Sequence, residues 1–337
     1  MKTIKLVFTL LFSFCVVVES FPQTLKTGTT AAQMLKFNVG PRAIGLGGAF
    51  TSIANDVSAM YWNPSGTANI QSNEVFFNHS SLFLDLRHNY AAVASTISDV
   101  GTFGAFVSVL TMDEMMVRTV ERPEGTGELF SAGTIVMGVN FSKYLIENFA
   151  IGFNLKYISE SIWNMNATGF AIDIGTMYKI PILNELRIAS SISNFGTKMS
   201  LQGRDATIIY NSGAGGGNFV NADIEMGEFD LPLIFRFGIS ADIIKDETSR
   251  LTTAIDAIHP NDHTEYVNSG IEYSWNESIF LRGGYNSLFE KDSEKGLTFG
   301  FGLQYRLFEL TKIKIDYAFQ EFGRLKNIHY FSVGMIF

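Results

Sequence analysis

Apolar and polar side chains alternate one by one along the C-terminal part of this chain. Between 297 and 307, Leu297, Phe299, Phe301, Leu303, Tyr305 and Leu307 share one face, while Thr298, Gly300, Gly302, Gln304 and Arg306 share the other. Ile313, Ile315, Tyr317 and Phe319 then alternate with Lys312, Lys314, Asp316 and Ala318. Phe331, Val333, Met335 and Phe337 alternate with Tyr330, Ser332, Gly334 and Ile336. Successive side chains of a strand point to opposite faces, so this period of two predicts two-faced strands. Read towards the N-terminus, the pattern predicts about fourteen strands, an even number, near 74–84, 87–98, 101–111, 129–141, 149–161, 168–178, 186–194, 233–244, 250–258, 264–275, 278–286, 295–306, 311–319 and 327–337.

Two all-β architectures alternate in this way. A soluble sandwich turns its apolar face to a core. A membrane barrel turns it to lipid and lines its interior with the polar face. The connections separate the two. Short ones at 98–101, 245–248, 275–277 and 307–310 alternate with mostly longer ones at 112–128, 195–232, 258–263, 286–294 and 320–326. Sorting by parity is the mark of a barrel with tight turns at one end and loops at the other. The apolar face carries large residues, with aromatics near strand ends as in an interfacial girdle, and the polar face mixes Gly with paired signs of charge. The expected fold is therefore a transmembrane antiparallel β-barrel over 73–337. Phe337 ends an alternating aromatic strand, which reads as an assembly signal for the machinery that inserts barrels.

Composition narrows the function classes. The 337 residues are 46% hydrophobic and 17% charged, with 30 Phe, 31 Gly and a net charge of −8. That apolar content excludes disorder, and the negative charge argues against a nucleic-acid partner. The single cysteine, Cys15, excludes a disulfide scaffold. It lies in a segment that reads as an export signal. Lys2 and Lys5 precede the apolar stretch Leu6–Val18, and Val18 and Ser20 suit the −3 and −1 positions of a cleavage site. Residues 1–20 are assigned to this signal, with cleavage possible as late as 23. Phe14 stands where a lipobox needs a small residue.

Residues 21–72 do not alternate. They are too poor in periodic apolar positions to fold alone, and a barrel of this width has space for them, so they are expected to form a hatch inside the lumen. The inward-facing charges Lys156, Asp173, Arg236, Asp242, Asp256, Arg282, Arg306, Lys312, Lys314 and Asp316 are expected to pair with one another and with the hatch, where Arg42 and Asp56 are partners. No cofactor or metal is implied. His259 and His263 flank Asp262 in a short turn, and Gly213–Gly217 lacks the Lys-Ser/Thr ending of a phosphate loop. No arrangement of His79, His88 and Asp85 marks an enzyme by spacing alone. The acidic groups Asp113, Glu114, Glu121, Glu124 and Glu128, and Asp223, Glu225, Glu228 and Asp230, read as solvated loop faces.

The stretch from Gly40 to Gly66, GPRAIGLGGAFTSIANDVSAMYWNPSG, resembles the N-terminal signature of the PorV/PorQ family, within the wider FadL-like group of outer-membrane barrels. The matching positions are Arg42, Gly45, Gly47, Gly48, Asp56, Trp62, Asn63 and Pro64. Asn55 and Ser65 depart from the usual Asp and Ala. The resemblance implies a fourteen-stranded barrel with an internal hatch in the outer membrane of a Gram-negative bacterium, in contact with outer-membrane lipid. It implies two roles for a non-enzymatic barrel, the first taken as the main reading and the second as the alternative. One is assistance to type IX protein secretion or surface attachment, with secretion components or secreted proteins as partners. The other is passive transport of hydrophobic small molecules of fatty-acid type.

Overall fold

A computed structural model describes residues 27–211, 213, 217, 219–290, 293–308, 311–325 and 327–337. The export signal expected at 1–20, its cleavage site and Cys15 lie outside the described residues, as does most of the Gly213–Gly217 run. Fourteen long strands run in chain order: β1 Glu74–Ser81, β2 Arg87–Ile97, β3 Gly101–Thr111, β4 Ala132–Ile146, β5 Phe149–Ile162, β6 Met165–Ile180, β7 Leu186–Gly196, β8 Ile234–Lys245, β9 Ser249–Pro260, β10 Tyr266–Trp275, β11 Ile279–Leu288, β12 Leu297–Arg306, β13 Lys312–Gln320 and β14 Ile328–Ile336. Each pairs antiparallel with its neighbours in sequence, and β1 pairs with β14. At that seam Glu74 faces Ile336 and Ser81 faces His329. The Phe337 N–H donates to the Asn73 carbonyl (2.9 Å) and the Asn73 N–H donates back (3.0 Å), so the last residue extends the seam by one rung.

Every strand falls where the alternation places it, and the differences are local. The fourth strand begins at Ala132 rather than 129, because Leu129–Phe130 pairs instead with Met115–Met116 in a small separate hairpin. Within 195–232, which reads as plain loop, Thr207–Asn211 pairs with Phe219–Asp223, and Gln202–Gly203 adds a short rung to β6. The β-branched run Thr207–Ile209 carried the signal for that hairpin. The tight turn 163–164 breaks the sorting of connections by length.

The apolar faces look outward. Phe299 is 55% exposed, and Phe301, Ile315, Phe331 and Val333 are exposed with it. So are Phe77, Val139, Leu155, Phe170, Ile255, Ile271 and Leu281, all around the wall. A soluble monomer exposes contiguous apolar patches of a few hundred Å² at most, roughly 300–600 Å². A belt around the whole circumference is the outer surface of a barrel solvated by lipid.

The buried core lies inside the barrel, where residues 30–72 pack against inward wall side chains such as Tyr90, Phe106, Val136 and Ile158. The regular parts of residues 30–72 are two short helices, α1 Pro41–Gly45 and α2 Ala59–Trp62, and the 3₁₀ turns Gln33–Lys36 and Pro64–Asn69. The segment starts at the long-loop end, where Thr30 bridges to Asp230 and donates to Asp262 (2.7 Å). It leaves at the short-turn end to begin β1.

Candidate functional site

The segment is held against the wall by backbone contact, by buried carboxylates and by one charge network. Backbone contact explains the glycines on the inner face. At Gly284 an added Cβ would stand 2.2 Å from the Gly47 nitrogen, and at Gly270 2.3 Å from the Leu46 oxygen. Gly45 lies against Gly300, and Gly152 against the Pro64 carbonyl. Gly47 and Gly48 turn the chain here with φ of 68° and 81°, a region costly for other residues. The Gly-rich motif and the glycines of the wall are thus two halves of one close fit.

The Asn63-Pro64 turn is seated by the Asn63 side chain. Its Nδ2 donates to the carbonyls of Thr51 (3.0 Å) and Thr176 (3.2 Å), and its Oδ1 accepts from the Ser65 N–H (3.2 Å) and hydroxyl (2.8 Å). Pro64 packs over Gly175 of β6. The Trp62 indole donates to the Val39 carbonyl (2.8 Å), and Ser191 of β7 donates to the Trp62 carbonyl (2.9 Å).

Arg42 stands at the centre of the charge network. Its Nε donates to Glu272 Oε2 (3.0 Å), and Nη1 donates to Asp56 (3.0 Å) and Asn55 (2.6 Å). Glu272, on the inner face of β10, is fully buried and also accepts from Arg282 (2.8 Å) and Arg250 (3.3 Å). Arg282 reaches on to Asp316 (2.5 Å). Lys314 approaches Glu74 (3.9 Å), whose other oxygen accepts the Val57 N–H (3.1 Å). Burial pushes the Asp56 carboxyl up, but Arg42, Lys314 and the Ser58 hydroxyl together hold it below the ordinary carboxylate value. A lowered folded value gives stability that is whole above the ordinary pKa of about 3.9 and is lost as pH falls through the folded value. Limited proteolysis of residues 30–72 should therefore accelerate as pH falls below about 4, and Asp56→Asn should remove most of that acid dependence while raising cleavage at neutral pH.

The remaining predicted charges divide by position. Asp256 lies wholly inside, and its Oδ2 accepts the N–H groups of Phe50 (2.9 Å) and Thr51 (2.8 Å). Lys156 pairs with Asp173 (2.6 Å), and Asp242 pairs with Arg187 (2.7 Å). Arg236 is 4% exposed, stacks over the rings of Tyr61 and Trp62 (5.6 Å each) and donates to Ser193 (3.0 Å). Lys312 is half-buried near its strand end, and Arg306 stands exposed at the short-turn rim of β12. Sequence reasoning missed Glu272, Arg250, Arg187 and Glu74. Glu272 alternates with Ile271 and Tyr273, so its inward position was there to be read.

Above this network, between the segment and the wall, is a small apolar cavity of about 30 Å³. Met34, Leu35 and Phe37 cover it on the long-loop side. Tyr90, Phe106 and Val136 form its wall, and Arg236 and the Lys156–Asp173 pair stand at its edge. The Gln33–Lys36 turn is tied down from outside by Lys36 to Asp262 (2.7 Å) and by the Ala32 N–H to Glu160 (3.1 Å).

The histidines are dispersed. His79 and His88 lie on opposite faces of the wall, His79 with Asn89 outside and His88 with Ser108 inside. His259 pairs with Glu265 and His263 with Glu290, so the turn between them does not converge on a point. The acidic loop groups are exposed.

A family model described as Uncharacterised protein family (UPF0164) matches residues 15–170. No curated protein sequence matches the chain. Among solved structures, the barrel resembles the CymD monoaromatic hydrocarbon channel, with a TM-score of 0.57 at 12% identity over 88% of this chain and 97% of that one. It resembles the Pseudomonas putida toluene transporter TodX, with a TM-score of 0.55 at 12% identity over 88% and 97%. It also resembles a Pseudomonas aeruginosa FadL homologue, with a TM-score of 0.50 at 12% identity over 94% and 98%. The shared feature is the fold, a closed fourteen-stranded antiparallel barrel. At these identities the likeness is one of architecture, and the chemistry has to come from this chain's own residues.

Proposed function

We propose that the chain is an outer-membrane barrel of Gram-negative type that passes hydrophobic small molecules, with residues 21–72 as its hatch, residues 1–20 as its export signal and Phe337 as part of its assembly signal. The observation that carries this reading is the apolar cavity between hatch and wall. Its apolar lining of Met34, Leu35, Tyr90, Phe106 and Val136 is edged by Arg236 and the Lys156–Asp173 pair. Ligand pockets enclose about 300–1,000 Å³, so the cavity of about 30 Å³ is a closed state. A ligand gains its space by displacing Met34 and Leu35 with the Gln33–Lys36 turn. An apolar body would then lie against Tyr90, Phe106 and Val136, and a polar end would meet Arg236. The FadL-like architecture supports transport. Assistance to type IX secretion, the main reading of the sequence, rests on the N-terminal motif, the long 195–232 connection and the lack of a catalytic signature, and the solved structures that the barrel resembles support transport more than it.

Filling the cavity tests the proposal. Val136→Trp overpacks this site at a cost of about 1–3 kcal/mol, and it should cut flux of a radiolabelled apolar probe into proteoliposomes by about tenfold with heat-modifiable barrel migration unchanged. Undiminished flux in a correctly folded variant would refute the assignment of the cavity.

A further inference from the structure

The outward face of β1–β5 is not evenly clad. It holds a groove of about 1,100 Å³ that runs across the strands. Ala91 and Ala105 form its floor, and Phe77, Val93, Met137 and Leu155 rise around them. The cross-strand pairing beneath is unbroken, with Phe77 opposite Ala91, Ala91 opposite Val107, and Ala105 opposite Val139. The groove is therefore a relief of side-chain size on a closed wall.

One outward position higher on β1 and β2 the chemistry changes. His79 and Asn89 are cross-strand partners joined at 2.8 Å. The Ser81 hydroxyl lies 3.4 Å from His79 Nε2, and across the seam from Ser81 is His329, which holds the Tyr317 hydroxyl at 2.8 Å. Arg87 faces Ser81 from the other side and pairs with the exposed Asp113. Positions i and i+2 on a strand are about 7 Å apart. A patch with two imidazoles and a guanidinium thus borders a predominantly apolar groove, both on the lipid-facing side.

We propose that this face is a binding site for a phosphate-bearing membrane lipid, with an acyl chain in the groove over Ala91 and Ala105 and the phosphate at His79, His329 and Arg87. A neutral lipid would leave the donor patch unused, and a free anion would leave the groove unused. The two halves together select an amphiphile with an anionic head. The proposal rests on reading the barrel exterior as bilayer-facing.

The experiment is native mass spectrometry of the full mature chain in detergent, with dioleoylphosphatidylglycerol, dioleoylglycerol or inorganic phosphate added. Wild type should retain the phospholipid. Retention should fall by at least about tenfold both in Ala91→Phe/Ala105→Phe, which fills the groove, and in His79→Ala/His329→Ala, which strips the patch. Apolar-probe flux should be unchanged in both. Equal phospholipid retention in wild type and both variants would overturn the site. So would equal binding of dioleoylglycerol, equal binding of phosphate alone, or a wild-type dimer that disappears when the groove is filled. A chain that partitions into buffer without detergent fails the membrane reading itself. A membrane-held barrel that retains no phospholipid fails this proposal alone.

Discussion

Gly284→Val is expected to open the barrel. The Cβ of any residue at 284 would lie 2.2 Å from the Gly47 nitrogen and 2.3 Å from the Leu46 carbonyl carbon. Both are backbone atoms, so no rotamer change relieves the collision. A small sideways shift of Gly47 does not relieve it, because Tyr285 and Ser269 backbone atoms crowd Gly47 on the wall side and Asn286 donates to its carbonyl at 2.8 Å. The wall is a continuous hydrogen-bonded sheet on both sides of β11. The segment is therefore the partner that moves. In planar bilayers the variant should show frequent large openings where the parent is closed, and liposomes carrying it should leak small polar solutes. Gly283→Val is the control. Gly283 faces outward with only Ile271 near its Cβ position, at 3.9 Å, and this substitution should leave conductance unchanged.

Glu272→Ala is expected to be the most destabilising single change to the charge network. Three guanidinium groups converge on this carboxylate, and its removal leaves Arg42, Arg250 and Arg282 facing one another in a buried site. Breaking a buried ion pair from one side costs about 3–5 kcal/mol. Asp316, Glu277 and Asp56 retain one arginine each and moderate the loss. The effect should appear as faster proteolysis within residues 30–72 and a lower unfolding midpoint in detergent. Arg42→Met in the same background should recover part of the stability, because it removes one of the stranded charges and the segment-side member of the cluster. If the double variant is no more stable than Glu272→Ala alone, the three arginines do not act through this carboxylate.

The barrel was legible because its physics is local. A period of two needs only neighbouring residues, and it located all fourteen strands, with the fourth displaced by the Met115–Phe130 hairpin. The interior was legible in kind and less so in detail. Alternation put Lys156, Asp173, Asp242, Asp256 and Arg282 inside, but pairing depends on which strands face which parts of the segment. That is long-range geometry, and it hid the convergence on Glu272. Arg306 shows the limit of alternation, since an inward-facing parity at the strand end places a side chain on the rim. The cavity under Met34 and Leu35 had no signature, because its residues come from the segment and from every strand from β2 to β8.

The seam between β1 and β14 joins the first strand of the series to the last, so its rungs form between residues almost as far apart in sequence as the barrel allows. Contacts of such separation are slow to form, since the chain entropy they cost is spent before they return anything. The segment leading into β1 has to be gathered inside the curving sheet before that last zipper closes, or be drawn in through a finished ring. Its fit against the inner glycines would then govern how fast and how completely newly made chains mature.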